Sequence, residues 1–86
     1  MNATDLAAGE SHFQGGRFVE AVFAAEKAVR EGGGLPAYLL LGKIQLQVEE
    51  YARAADAYGA ALRLDPANEL ARRGLEKARA QLNAPR

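Results

Sequence analysis

Few residues in this chain could make or break bonds, and their spacing denies them partners. His12 is the single histidine, and there is no cysteine. A histidine acting as a base needs a group to activate, and one acting as a zinc ligand needs further ligands. Ser11 stands beside it, but an activated serine requires a base positioned across space and a third group to orient that base. The pair reads as neighbours on a helix face near a hairpin interface. Gly32-Gly33-Gly34 could be pictured as a phosphate cradle, yet no strand precedes it and no Gly-Lys-Ser/Thr follows; it reads as a helix terminator. Glu49-Glu50 has no second carboxylate cluster to complete a hydrolytic site and reads as a solvated turn. The tyrosines are not interleaved with a basic stripe, so they fit core filling better than nucleobase stacking. The expectation is a protein that is no enzyme and carries no metal or cofactor.

Composition narrows the class further. Eighty-six residues make one small domain, residues 1–86, which buries only ~60–65% of the surface its unfolded chain exposes. Without cysteine there is neither disulfide nor zinc staple, so stability must come from helix packing, with or without help from self-association. Eleven basic and eleven acidic residues cancel, which argues against the electrostatic footprint of a nucleic-acid binder. The balance is uneven along the chain: beyond residue 65 Arg72, Arg73, Lys77, Arg79 and Arg86 face only Glu69 and Glu76. The central apolar run, Leu39-Leu40-Leu41, is far short of the ~20 residues of a membrane span. The opening MNATDLAAGE has neither the basic start nor the apolar core of a secretory signal. A cytoplasmic setting is the default expectation, with a piece of a larger protein as the alternative.

Helical periodicity accounts for nearly every segment. Thr4 or Asn2 can cap a first helix, with Asp5 in its first turn. Gly15-Gly16 stops it, since two glycines cost roughly 2 kcal/mol there relative to alanine. A second helix from about Arg17 places Phe18, Ala21, Val22, Ala25, Ala28 and Val29 on one face, with Glu20, Glu26, Lys27 and Arg30 outside. Pro36 suits the first turn of a third helix, which runs to about Val48. A fourth occupies the stretch from Tyr51 to Pro66, its face formed by Tyr51, Ala54, Ala55, Tyr58, Ala61 and Leu62. Asp65-Pro66 closes it, because proline disfavours helical geometry at the preceding residue. A fifth, from about Ala67 to Leu82, turns Leu70, Leu75, Ala78 and Leu82 inward. No segment alternates with the period of a strand, so the fold is expected to be all-α with five helices.

A shift of thirty-three residues aligns the chain with itself. Leu6 lands on Leu39, Gly9 on Gly42, Phe13 on Leu46, Phe18 on Tyr51, Ala21 on Ala54, Ala28 on Ala61 and Arg30 on Arg63. A fixed period near thirty-four with two helices per period is the signature of a helical solenoid. Gly42 and Ala54 are small where two helices of a hairpin approach, and Tyr38 and Tyr58 are bulky where one hairpin must fill space against the next. The pattern of Tyr38, Leu41 and Gly42, then Ala54, Tyr58, Ala61 and Pro66, resembles the tetratricopeptide repeat. The resemblance covers about residues 3–82. It divides the chain into one repeat at about 3–34, a second at about 35–68 and a capping helix at about 67–82. The first repeat departs from the pattern, with Asp5 and Ala25 where aromatics are expected and no closing proline. The implied architecture is antiparallel helix hairpins stacked as a short right-handed α-solenoid.

The resemblance also implies where binding occurs. In tetratricopeptide proteins the first helices of successive hairpins line a concave groove, and the resemblance implies that the stretch from Tyr51 to Pro66 supports them from the outer layer. Carried over, the groove residues are Leu6, Glu10, Phe13 and Gln14; Leu39, Lys43, Leu46 and Gln47; and Arg73, Lys77 and Gln81. The leucines and Phe13 form an apolar strip, and Lys43, Arg73 and Lys77 a cationic end. The expected partner is a protein or peptide with apolar anchors and acidic character, not nucleic acid and not a membrane. Glu10 and Lys43 stand where the chaperone-tail-binding subgroup carries asparagine. Two other roles fit the same strip: self-association into a homo-oligomer, or a regulatory appendage that recruits an enzyme or signalling protein.

Overall fold

The computed structural model describes residues 17–84, which form four helices: α1 (Phe18–Arg30), α2 (Gly34–Gln47), α3 (Tyr51–Leu64) and α4 (Glu69–Leu82). There is no strand among the described residues. The helix expected before Gly15 lies outside them.

Each boundary has a local cause. After α1 the chain enters the left-handed region at Gly32 (φ 81°), where the Gly32 N–H donates to the Val29 carbonyl and the Gly33 N–H to the Ala28 carbonyl. This paired arrangement satisfies the carbonyls that a helix end leaves open. The same arrangement ends α2: Glu49 N–H donates to Leu46 and Glu50 N–H to Gln45. There the left-handed residue is Glu49 itself, at φ 64°. The third glycine of the triplet belongs to the next element, since Gly34 opens α2 and Pro36 falls within its first turn. Beyond α3, Asp65-Pro66 breaks the ladder. Asn68 then caps α4, its Oδ1 accepting from the Ala71 N–H at 2.9 Å while its Nδ2 donates to Asp65. Helix α4 therefore starts at Glu69 and not at Ala67.

Consecutive helices pack against each other, and α2 also meets α4. Ten of the fourteen buried apolar residues among those described are alanine, so the helices approach closely. One cluster joins Ala21 and Ala25 of α1 to Leu40, Leu41 and Ile44 of α2 and Ala57 of α3. The other centres on Tyr58, Ala61 and Ala71, with Tyr38, Leu39, Leu46, Leu62 and Leu75 packed round it.

Tyr58 is the pivot of the second cluster. A β-carbon placed on Gly42 would lie 2.8 Å from its ring, and one on Gly74 only 2.3 Å. The ring is thus held between two glycines, one on α2 and one on α4.

Three inward assignments need correction. Leu70 and Leu82 of α4 are exposed, and Leu62 of α3 is only half-buried. Leu70 and Leu75 are five residues apart, about 140° round a helix, so one narrow face cannot hold both. The face of α4 that packs inward is set by the small residues Ala71, Gly74 and Ala78, with Leu75 beside them. Leu82 shares the side of Leu75, but it is the last residue of the helix.

Candidate functional site

Burying Ala37, Leu40, Leu41 and Ile44 on α2 fixes which residues reach the neighbouring rim. Leu39, Lys43 and Leu46, at steps of four and three, then stand together on one edge of α2. On α4 the buried Ala71, Gly74 and Ala78 leave Leu70, Arg73 and Lys77, at steps of three and four, along the facing edge. Between these two edges lies a hollow of about 490 Å³. Its base is formed by Leu40, Tyr58 and Gly74, and Pro36 also lines it. It falls in the size range of sites that hold small molecules or a few side chains.

The hollow combines an apolar interior with three cations, Lys43, Arg73 and Lys77. Another cation of α4, Arg72, hydrogen-bonds Glu69 and Glu76 on its own helix. That contact holds the Glu69 carboxyl below its usual range and raises the Arg72 guanidinium. Arg73 only grazes Glu69, at 3.9 Å. Under the hollow, burial pushes the Tyr58 phenol above its ordinary value. Such a surface offers hydrophobic burial beside cationic contacts.

Of the groove residues named from the sequence, Leu39, Lys43, Leu46, Arg73 and Lys77 line this hollow. Gln47 and Gln81 are exposed and do not line it. Leu6, Glu10, Phe13 and Gln14 lie outside the described residues. Sequence reasoning missed Pro36, Leu40, Tyr58, Leu70 and Gly74. The signal for Leu70 was the run of small residues at 71, 74 and 78, which marks the inward face of α4 and leaves Leu70 on the rim. Gly42 was read as a small position between the helices of a hairpin, and neither it nor Gly74 was paired with Tyr58, whose ring both face.

A second depression lies across α1, α2 and α3, with Gln45 and Tyr38 among its walls and Arg53, Asp56 and Arg63 around it. Gln45 is the one buried polar residue among those described, and its Oε1 has no hydrogen-bond partner there. Among the described residues no helix is long and apolar enough to cross a membrane, and no group of three or more His, Cys, Asp or Glu side chains could hold a metal ion.

No model of a known protein family matches the sequence.

Proposed function

We propose that this chain is a protein–protein interaction module of the tetratricopeptide type, binding a peptide or partner protein with apolar anchors and acidic character in the hollow between α2 and α4. The observation that supports this reading is the convergence of four leucines and three cations, from two separate helices, on one hollow above a buried tyrosine. The repeat that underlies it has physical support as well. Helices α1 and α3 begin thirty-three residues apart, and the matched alanines 21, 28, 54 and 61 are each 0% exposed. Equivalent positions thus carry equivalent packing duties, as stacked hairpins require.

An amphipathic helix laid in the hollow would place leucines against Leu39, Leu46 and Leu70 and carboxylates against Lys43, Arg73 and Lys77. Exposed ion pairs are worth ~0.2–1 kcal/mol each, so apolar burial supplies most of the affinity and the cations supply selectivity and orientation. The test is a fluorescence-anisotropy titration of the domain with a labelled helical peptide bearing leucines on one face and glutamates beside them. Lys43→Glu combined with Arg73→Glu is expected to weaken binding by roughly tenfold or more with unchanged helicity. The same variant should prefer the peptide in which lysines replace the glutamates. Equal binding of both peptides by wild type and variant would sink the assignment.

A further inference from the structure

The exposed face of α1 carries an apolar stripe that the α2–α4 hollow does not use. Val19 and Phe23, one turn apart, are 81% and 68% exposed. Glu26 follows at a further step of three, so these residues share one side of the helix. Beside the stripe, Phe18, Val22 and Val48 line a hollow of about 330 Å³. The internal alignment does not account for the stripe. Thirty-three residues on, Val19 and Phe23 fall on Ala52 and Asp56, both exposed on α3, so the packing of hairpins asks for no large apolar residue at either place. Contiguous apolar exposure of this kind marks an interface.

Charge decides what fits it. The charged groups lining the α1 hollow are both carboxylates, Glu26 and Glu50, whereas those lining the α2–α4 hollow are all cations, Lys43, Arg73 and Lys77. Pairing either surface with its own image brings like charges together, but each complements the other. Phenylalanine and valine meet leucines, and carboxylates meet cations. The two surfaces share no lining residue, so one copy can offer its α1 face while its own α2–α4 hollow receives another's. Existing contacts at these charges are exposed and weak: Glu50 meets Arg53 at 3.5 Å, and Arg73 meets Glu69 at 3.9 Å. The cations of α1, Lys27 and Arg30, lie in its last turn, beyond Glu26. Lys27 and Lys43 each have an interaction of their own, so Arg73 and Lys77 carry the pairing. We infer that α1 of one copy docks in the α2–α4 hollow of another, a head-to-tail contact that can repeat from copy to copy. The inference rests on the proposed reading of that hollow as a site for a helix with apolar anchors and acidic character, and it names α1 of a second copy as that helix. With one thirteen-residue helix, about 20 Å long, as the inserted element, the association is weak and concentration-dependent.

Sedimentation velocity of the full 86-residue chain over a wide concentration series, with a complementation arm, tests this. Wild type should associate progressively as concentration rises. Phe23→Glu spoils the α1 face, and Arg73→Glu with Lys77→Glu spoils the hollow; each variant should weaken self-association roughly tenfold or more. Mixed one to one, the two variants keep one intact junction between them and should form a heterodimer that grows no further. Neither a two-fold dimer nor nonspecific sticking would do so. Val19→Glu should behave as Phe23→Glu does, and every variant should keep wild-type helicity. A strict monomer at every concentration overturns the proposal, as does association indifferent to Phe23→Glu or a mixture no more associated than its components. A monomer that loses thermal stability on Phe23→Glu assigns the stripe to cover by the chain's own residues, and overturns it equally. The peptide titration keeps the two claims apart. If Phe23→Glu binds the leucine and glutamate peptide while wild type stays monomeric, the reading of the hollow stands and only the second copy as its occupant falls.

Discussion

Tyr58 illustrates how one side chain can reverse the usual effect of a substitution. Replacing glycine with alanine inside a helix ordinarily stabilises by about 0.5–1 kcal/mol. At Gly74 the added methyl would meet a ring that is only 6% exposed and has no room to retreat. Gly74→Ala is therefore expected to destabilise by ~1–3 kcal/mol, measured by urea unfolding. In a Tyr58→Ala background, itself weakened by ~3–5 kcal/mol, the same change should turn neutral or stabilising; additive losses would break the account. The phenol also ties stability to pH. Its folded-state pKa is raised above the ordinary 10.0 by burial, so its contribution is complete below that value and is lost as pH rises through the folded one. Alkaline unfolding should thus be shallower in Tyr58→Phe than in wild type, compared by circular dichroism above pH 10.

Turns set the helix ends, and two of them make opposite predictions. Glu49 occupies a left-handed position that costs an L-residue about 1–2 kcal/mol, where Gly32 does the same duty after α1 without strain. Glu49→Gly should raise the midpoint of thermal unfolding, by ~0.5–1 kcal/mol of stability once the chain entropy of glycine is counted. Asn68 is the only side chain that caps a helix start among the four. Asn68→Ala should cost ~1 kcal/mol, and hydrogen exchange should show the loss first in the opening turn of α4. Element positions were legible in the sequence because glycine triplets, Asp65-Pro66 and helical periodicity are local signals. The orientation of α4 was less so. Its leucines suggested one face, while close packing against α2 and α3 selected the face of its smallest residues.

At the scale of the whole molecule, the thirty-three-residue shift matches the starts of α1 and α3, Phe18 and Tyr51, and five of the residues named from the sequence line the α2–α4 hollow. What escaped was the base of the hollow, because Leu40, Tyr58 and Gly74 come to it from three different helices. Tyr58, assigned to support, lies under a hollow whose walls belong to α2 and α4, and no one-helix pattern shows a contact among three helices. Likewise, Val19 and Phe23 lie off the shared face of α1, and periodicity has nothing to say about an apolar residue that faces outward. The alanine-rich core explains why such details matter. With so little area per buried residue, Ile44, Leu40, Leu41 and Tyr58 hold a large share of the buried surface.

The clamp of Tyr58 between Gly42 and Gly74 has a geometric consequence. Helices α2 and α4 can come no nearer than the thickness of one phenol ring, so that ring acts as a gauge block setting the width of the slot above it. A single change at residue 58 would reset the calibre, narrower with leucine and wider with tryptophan. The chain contains no tryptophan, and Tyr38 and Tyr51 are less buried than Tyr58. A change in tyrosine emission that survives Tyr38→Phe and Tyr51→Phe would therefore report on the spacer itself.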